Sequence, residues 1–444
     1  MVIARPITGK HRTIKNRINY VLFTIFLVIP FVRIGGRPLV MLDIPARKFD
    51  IFGLTIWPQE LYFLHLLLLI LGVMLFFFTA LYGRIWCGYA CPQTIFTDAY
   101  HWIGKLVSSR YGKHTMTRGD WGRVWAVWLV LSLFFSFVFV GYFVPMEAML
   151  ADIVTGNVFA GPESTMPAFW LLAIGASTAV AFGNMIYYRE NLCKYICPYG
   201  RFQTALLDQH SPIVSYDVPR GEERRAKKQK MWEHSGDCID CGMCHVVCPT
   251  GIDIREGLQV GCIACGLCVD ACTEVLAKWD KATLIDYRTI KQTEDPAANR
   301  PYVRPRTAVY GALLAVMVGA FAYLLAVRVP IYAVALRDRA IQNVHIPGAG
   351  YQNGYEVHVG NMSHEPLNVN IEVENQGRFE IIAPSTRYEL KPDGFEKIRF
   401  IVRYPEDANE STAGRLVPIQ FKITDADRPG RVKIAESVFT FPRS

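Results

Sequence analysis

The sequence has few charged residues, and its C-terminal part has no cysteine. Only 19% of the 444 residues are charged, whereas 51% are hydrophobic. This composition excludes a highly charged disordered chain and indicates membrane-spanning segments. Residues 329–444 lack cysteine, so their fold cannot depend on disulfides. The chain also lacks a nucleotide-phosphate loop or flavin fingerprint, which argues against direct use of NAD(P)H.

Five apolar runs predict membrane-spanning helices. Four of them have about the 20 residues needed to cross the hydrocarbon core, whereas the first run is shorter and contains Pro30. An interfacial helix is the alternative for this first run. Because no A-x-A-type cleavage site follows it, we expect it to be retained. The predicted spans are residues 18–32, 61–83, 124–144, 167–187 and 308–327.

Lysine and arginine counts in the loops predict the orientation of these spans. Residues 1–17 hold five basic and no acidic residues, and residues 84–123 and 220–230 each hold six basic against two acidic ones. Residues 145–165 hold three acidic residues and no basic one. We therefore expect a cytoplasmic N-terminus and export of the residues after 328. Anionic membrane lipid explains the net charge of +8, so we expect no nucleic-acid partner.

Residues 238–272 contain eight of the twelve cysteines. They form two runs of C-x2-C-x2-C-x3-C, the spacing by which bacterial ferredoxins hold 4Fe–4S clusters, with the fourth cysteine of each run ligating the other cluster. Small residues at 242, 264 and 266 allow the backbone to wrap closely round a cluster. We predict two clusters, one on Cys238, Cys241, Cys244 and Cys272, and the second on Cys262, Cys265, Cys268 and Cys248.

A second cysteine pattern, C-x3-C-P, occurs twice at the ends of predicted spans. It follows the second span at Cys87 and Cys91, and the fourth span at Cys193 and Cys197. The chain therefore contains an internal repeat of two helical hairpins. Residues four apart share one face of a helix, so each pair is predicted to offer two thiolates to one ion. The following proline is predicted to end or bend the helix.

The two C-x3-C-P pairs are predicted to form a single site, either within one protomer or across a homodimer. Four soft thiolates at the membrane boundary suit Cu(I), zinc or an iron–sulfur centre. The alternative is that these cysteines are small buried apolar residues. Asn184 and Glu190 lie near the fourth span, where they are candidates for contact with an ion or a quinone.

The hydrophobic period changes to two from about residue 345. Short segments alternate apolar and polar residues, and turn residues separate them at 375–377 and 392–394. This pattern predicts an immunoglobulin-like sandwich. The alternating segments begin at Tyr355, Leu367, Phe379, Arg387, Phe395, Val417 and Val432.

The predicted fold is therefore an α-helical integral membrane domain of about five spans, with an inserted ferredoxin domain and a C-terminal all-β immunoglobulin-like sandwich. Its predicted domains are a membrane domain of spans one to four (1–218), a cytoplasmic 4Fe–4S ferredoxin domain with linkers (219–305), a fifth transmembrane helix (306–328) and a periplasmic sandwich (329–444).

These features together resemble the CcoG/FixG/RdxA-type cytochrome c oxidase accessory proteins, which are membrane polyferredoxins of proteobacteria. The membrane half also resembles polyferredoxin subunits of nitrate and nitrous-oxide respiration, and the exported sandwich favours the accessory proteins. The resemblance implies a bacterial inner-membrane protein that supplies cuprous copper to a maturing haem–copper oxidase. It implies a cupric reductase, with copper as substrate or bound ion at the candidate thiols Cys87, Cys91, Cys193 and Cys197.

The partners expected from this interpretation are membrane lipid, a cytoplasmic electron donor protein, and a copper chaperone or oxidase assembly factors. Two other functions stay open. One is an electron conduit between quinol or a cytoplasmic donor and another redox subunit. The other is an oxidase assembly scaffold without copper chemistry, in which the exported sandwich is the working part.

Overall fold

The structure is a computed structural model. It describes residues 4–44, 47–112, 115–155, 165–224, 236–338, 340–342, 344–374, 379–383, 385–405 and 416–442. The chain divides into two compact units, residues 1–321 and residues 322–444. The predicted turn at 375–377 and most of the basic stretch at 220–230 lie outside the described residues.

Five helices in the described residues are long and apolar enough to cross a membrane. Each overlaps one of the predicted runs, so the α-helical membrane part of the predicted fold is confirmed. The first helix begins earlier than the hydrophobic run because its first turn contacts the ferredoxin segment. The five spans are Lys10–Phe31, Pro58–Tyr82, Arg118–Val140, Phe169–Tyr188 and Pro305–Ala326.

The N-terminus of the first span is capped by a distant carboxylate. Asp270 accepts hydrogen bonds from the backbone amides of His11, at 3.1 Å, and Arg12, at 2.8 Å. A helix leaves these first amides without partners inside the helix, and a negative charge at this end is stabilising. A Cβ on Gly9 would lie 2.3 Å from the Asp270 side chain, so the contact requires glycine.

Short elements connect the spans. Two small antiparallel sheets follow the first span, one of Arg33–Ile34 with Arg37–Pro38 and one of Val40–Asp43, Lys48–Ile51 and Leu54–Ile56. Ile29–Phe31, Pro58–Glu60, Ile254–Glu256 and Ala277–Trp279 are 3₁₀ turns. The remaining helices of this unit are Ile85–Tyr89, Pro92–Val107, Met146–Thr155, Leu192–Ile196, Pro198–Leu206, Val218–Gly221, Met243–Val246, Leu267–Leu276 and Ile290–Glu294.

A two-stranded antiparallel sheet encloses the cysteine-rich segment. Its strands are Pro212–Tyr216 and Ile285–Thr289, which lie before and after the two cysteine runs. The helix Leu267–Leu276 packs on this sheet in an apolar core that includes Val214 and Leu284. Because the first strand precedes residue 219, the predicted membrane domain and ferredoxin domain share this sheet.

The second unit is a sandwich of two antiparallel sheets. One sheet has the strand order Glu380–Ile382, Phe395–Tyr404, Gly350–Asn361 and Ile331–Arg337, and Val344–Ile346 also pairs with Gly350–Asn361. The other has the order Arg387–Leu390, Leu367–Val373, Leu416–Asp425 and Val432–Thr440. Alternate side chains of both sheets face one apolar core, as expected for a β-sandwich.

The predicted immunoglobulin-like class is confirmed, but two strands were missed. Ile331–Arg337 and Val344–Ile346 lie before or at the point where the period-two pattern was placed. The first of them follows the fifth span so closely that its apolar residues extend the hydrophobic run, and periodicity alone cannot separate the two elements.

We expect the substitution Asn361→Ala to destabilise the sandwich strongly. The Asn361 side chain is fully buried, and its Nδ2 donates to the backbone carbonyls of Glu365, Leu390 and Lys391 at 2.7–3.3 Å. Leaving buried carbonyls without donors should cost about 3 kcal/mol or more. The measurement is the midpoint of thermal proteolysis of the C-terminal unit in the full-length protein.

Asn368→Ala is the matched control. Among the described residues, the Asn368 side chain makes one long hydrogen bond, of 3.3 Å, to Asp427, so its loss should cost less than about 1 kcal/mol. Equal shifts for the two variants would contradict the role assigned to Asn361.

Candidate functional site

The end of the second span positions the first C-x3-C-P pair. Gly83 follows the helix with a φ of 62°, in the left-handed region that favours glycine. The short helix Ile85–Tyr89 carries Cys87, and Cys91 follows it in an extended conformation with φ −67° and ψ 130°. The extended region is preferred by a residue that precedes proline, and Pro92 is the first residue of the next helix.

The end of the fourth span repeats this geometry. Arg189 follows it with a φ of 41°, and a π-helical turn, Leu192–Ile196, carries Cys193. Cys197 is extended, with φ −62° and ψ 113°, and Pro198 begins the next helix. The internal repeat is therefore a repeat of backbone conformation as well as of sequence.

The prediction that the two cysteines of a pair share one face of a helix is wrong. The helical turn ends before Cys91 in the first repeat and before Cys197 in the second. The physical reason is that proline disfavours the helical conformation of the residue before it. The prediction that proline ends the helix is confirmed.

Each repeat makes hydrogen bonds with the cysteine segment of the other. The fully buried Gln203 accepts a hydrogen bond from Cys87 Sγ at 3.2 Å. Gln93 donates to the carbonyl of Arg189 at 3.0 Å and accepts from Asn184 at 2.8 Å. These reciprocal bonds hold the two hairpins together and bring the two cysteine pairs into one region.

The C-x3-C-P thiols lie close enough to affect one another's protonation. Burial, reinforced by Cys91, raises the pKa of Cys87 to about 12. Burial, with Cys91 and Cys197, raises the pKa of Cys193 to about 12 as well. At neutral pH these two groups are therefore protonated unless a metal cation replaces the proton.

The cysteines do not converge on a single point. Within the described ranges, no three His, Cys, Asp or Glu side chains are placed to hold one metal ion. A closed structural metal site would need about four such ligands. The described side chains therefore do not form a closed four-ligand site.

The ferredoxin cysteines line two adjacent cavities. The first cavity is lined by Cys238, Cys241, Cys244 and Cys272. The second is lined by Cys248, Cys262, Cys265 and Cys268, and Cys244 lies in the wall that both share. Each cavity is lined by four or more thiols, and these residues therefore fit the two cubane clusters predicted from the spacing.

The two ferredoxin runs share an uncommon backbone conformation. Asp240 and Ala264 have φ values of 47° and 50°, and Gly242 and Gly266 have values of 66° and 72°. These left-handed residues turn the chain round each cavity and direct amides inward. The amide of Ala264 donates to Cys262 Sγ at 3.4 Å, and such N–H···S bonds stabilise charge on a ligating sulfur.

The first C-x3-C-P pair packs directly on the second ferredoxin run. Gly88 lies between Cys87 and Cys91, and a Cβ on Gly88 would be 2.7 Å from both Cys265 Cα and the carbonyl oxygen of Ile263. Side-chain carbons do not approach a backbone so closely, so the contact requires glycine. The thiol pair and the loop of the second predicted cluster are therefore in backbone contact.

Arg84 connects the three segments of the site. Its side chain is 4% exposed, and it donates to the carbonyls of Val260, Cys262 (2.9 Å) and Gly200 (2.7 Å). The guanidinium interacts electrostatically with the thiols of Cys262 and Cys87. A buried positive charge at this position offsets negative charge on thiolates or on a cluster.

The two ferredoxin cavities differ in their access to solvent. Cys241 of the first cavity is exposed, whereas Cys265 of the second is 7% exposed. The first cavity therefore reaches the protein surface at Cys241, whereas the Cys265 side of the second lies against Gly88 of the first hairpin.

Sequence reasoning missed the residues that join the cysteine sites. Arg84 and Gln203 belong to no recognised motif, and Asp270 is a non-cysteine position of the second ferredoxin run. Each contacts residues more than a hundred positions away. The sequence contains one indication of the role of Arg84 and Gln203, which is their distance from the C-x3-C-P pairs. Arg84 lies three residues before Cys87, and Gln203 lies six residues after Cys197.

Three protein-family models match the chain. A model for 4Fe–4S dicluster domains matches residues 188–290, and one for 4Fe–4S binding domains matches residues 64–110. A third, described as an IG-like fold at the C-terminus of FixG, matches residues 321–442. With the five apolar helices, these matches define a membrane-bound iron–sulfur electron-transfer protein.

Full-length relatives give the family. The whole chain is 33% identical to protein RdxA of Cereibacter sphaeroides and covers 98% of it. It is 31% identical to nitrogen fixation protein FixG of Rhizobium meliloti, over 82% of this chain and 78% of that protein. A crystal structure of a FixG-related protein from Vibrio parahaemolyticus is 20% identical, covers 25% of this chain and 96% of its own, and has a TM-score of 0.22. The chain belongs to the FixG/RdxA family, as its motifs predicted.

We expect Gly88→Ala to disrupt the second ferredoxin site selectively. The added Cβ would overlap the backbone at Cys265, so iron should fall from about eight towards about four atoms per chain. The measurement is iron content together with the electron paramagnetic resonance signals of the reduced clusters. Gly72→Ala, where a Cβ meets no atom within 4 Å, is the control; equal iron in both variants would contradict the contact.

We expect Arg84→Met to lower the reduction potential of the second cluster. Removing a nearby positive charge disfavours the more negative reduced state, by an amount on the order of tens of millivolts. A redox titration of both cluster signals measures the shift. Arg201→Met removes an exposed guanidinium and should leave both potentials unchanged; a lowered potential in this control would assign the effect to overall charge.

Proposed function

We propose that this protein reduces Cu(II) to Cu(I) at the C-x3-C-P thiols, with electrons from its 4Fe–4S clusters, for assembly of a haem–copper cytochrome c oxidase. The observation that carries the proposal is the contact of Gly88 with Cys265. A donor site and an acceptor site in backbone contact allow electron transfer without a moving domain. Copper is the substrate in this scheme.

The residues define an order for the transfer. Cys241 is exposed and gives a soluble donor protein access to the first site. Cys244 lines both cavities and connects the first site to the second, which lies against the Cys87 hairpin. Clusters held by these cysteines would supply one electron each, and each Cu(II) would take one electron to become Cu(I). Thiolate ligands favour Cu(I), which assists the transfer.

A second route uses the thiols as the immediate reductant. Two thiolates, Cys87 with Cys91 or Cys193 with Cys197, would give one electron each to two Cu(II) ions and form a disulfide. Two electrons from the clusters would then restore the thiolates. Turnover that persists with a chemical reductant after the cluster ligands have been removed would support this route.

The proposed orientation follows the Lys and Arg distribution. The N-terminus and ferredoxin segment face the cytoplasm of a bacterial inner membrane, and the sandwich faces the periplasm. The donor is then a cytoplasmic protein, and a copper chaperone or oxidase assembly factors receive the product. In this proposal the four thiols act within one protomer, which the hydrogen bond from Cys87 Sγ to Gln203 of the same chain supports.

The second candidate function of the four C-x3-C-P thiols is to bind a 4Fe–4S cluster in addition to the two ferredoxin clusters. The 4Fe–4S family model that matches residues 64–110 includes only two cysteines, Cys87 and Cys91. A cluster at this position would therefore also need Cys193 and Cys197 as ligands. In that case the protein is an electron conduit to another redox subunit, without copper chemistry. The iron content of anaerobically prepared protein would then be about twelve atoms per chain rather than about eight.

An assembly scaffold is the remaining alternative. In that function the sandwich docks an oxidase subunit or chaperone while the clusters sense redox state. Deletion of residues 345–444 would then abolish oxidase assembly and leave whatever cupric reduction the rest of the chain performs unchanged.

The direct test replaces all four C-x3-C-P cysteines by serine. Anaerobic protein with chemically reduced clusters receives Cu(II), and a cuprous-specific chelator records Cu(I). We expect cluster-dependent reduction to fall at least about tenfold, because serine oxygen is a poor ligand for Cu(I). Iron content and cluster spectra are the controls. Undiminished reduction in a variant with full iron content would exclude copper from this site.

A further inference from the structure

A slot lies between the first span, the helix Pro92–Val107 and the third span. Its volume is about 240 Å³. Tyr20 and Phe134, both on membrane spans, line one side and are 64% and 48% exposed. Ile95 and Phe135 close the opposite side and are buried. The slot therefore opens on the apolar surface that the spans present to lipid.

The closed end of the slot carries an unsatisfied polar group. Asn19 is 9% exposed and donates from Nδ2 to Asp98 at 2.9 Å, but its Oδ1 has no hydrogen-bond partner. Lys15 is 1% exposed and forms an ion pair with Asp98 at 2.9 Å. A buried acceptor without a donor is unfavourable, so a ligand of the slot that donates a hydrogen bond to Asn19 Oδ1 would satisfy it.

The same polar residues adjoin the redox centres. Lys15 and Asp98 also line a small inner cavity together with Cys193 and Ile263. Both residues lie within electrostatic range of Cys265. One layer of side chains therefore separates the slot from the second ferredoxin run and from the C-x3-C-P thiols.

We propose that the slot binds the ring of a membrane quinol and is a second entry point for electrons. The aromatic walls suit a flat ring, Asn19 Oδ1 and the Asp98 carboxylate accept from its hydroxyls, and an isoprenoid tail leaves through the open side. An acyl chain of a lipid would leave Asn19 Oδ1 without a hydrogen-bond partner. The volume is slightly below the range of about 300–1,000 Å³ for drug-sized ligands, which suits a headgroup whose tail stays outside.

The proposed step balances with two clusters. Oxidation of one quinol to quinone releases two electrons and two protons. The two clusters take one electron each, and the protons pass to water at the membrane boundary. The redox part of this inference rests on the proposed electron-transfer function, whereas binding in the slot does not. Because the step is reversible, quinone in the slot also oxidises reduced clusters.

The test uses full-length protein in lipid nanodiscs, with a long-chain ubiquinone or menaquinone or with no quinone. The clusters are photoreduced through a deazaflavin, and their re-oxidation is followed by visible absorption. We expect quinone to accelerate re-oxidation in the wild-type protein. Asn19→Leu should slow the quinone-dependent rate about tenfold because a hydrogen bond to the ring is lost, and Ala99→Trp, which fills the slot, should remove it.

Ala126→Trp is the matched control, since Ala126 is exposed on the third span outside the slot. It should retain the wild-type quinone-dependent rate. Retention of bound quinone during gel filtration provides a readout that is independent of electron transfer and should be lost only in the slot variants. The wild-type protein and the three variants would be compared at equal iron content. Equal quinone-dependent rates and equal quinone retention in all four would overturn the proposal.

Failure of this inference is distinguishable from failure of copper reduction. Photoreduced protein without quinone is mixed with Cu(II), and cuprous chelation is measured in Ala99→Trp. Normal copper reduction with no quinone response in the wild-type protein would reject the slot and retain the copper site. A quinone response that Ala99→Trp abolishes, with no copper reduction in either protein, would support the slot and reject the cupric reductase.

Discussion

The backbone contact between Gly88 and the Ile263–Cys265 segment is the constraint on which the rest of the redox unit depends. It holds a membrane-boundary thiol pair against the loop of a ferredoxin site, at a spacing that no side chain permits. Asp270 tethers the first span to the ferredoxin helix through His11 and Arg12. The ferredoxin fold is thereby built into the ends of the membrane hairpins.

Buried polar side chains near this contact also interact with the cysteines of the site. Arg84 donates to carbonyls of the ferredoxin segment and of the second hairpin, and places a positive charge beside Cys87 and Cys262. Gln203 crosses from the second hairpin to the thiol of the first. Burial disfavours negative charge on these cysteines. The Arg84 guanidinium and the hydrogen bonds offset this effect. The cysteine positions therefore run from the exposed Cys241 to the partly buried hairpin thiols.

Much of this architecture was predictable because it depends on local sequence patterns. Spans follow from hydrophobic runs, the ferredoxin module from its spacing, and the sandwich from period-two alternation. The strand Ile331–Arg337 was hidden because it continues an apolar run, and the helical face predicted for Cys87 and Cys91 failed because proline breaks the helix. Contacts such as that of Gly88 with Cys265 join segments that are distant in the sequence. They produce no hydrophobic periodicity, so they could not be predicted from a single sequence.

The most direct test of the account is a single-turnover experiment that follows both redox partners at once. Protein with both clusters reduced and no free reductant is mixed rapidly with Cu(II), while cluster absorption and Cu(I) chelation are recorded together. The account predicts that the clusters oxidise at the rate at which Cu(I) forms, with one Cu(I) for each electron lost. Formation of Cu(I) while the clusters stay reduced, or cluster oxidation without Cu(I), would contradict it.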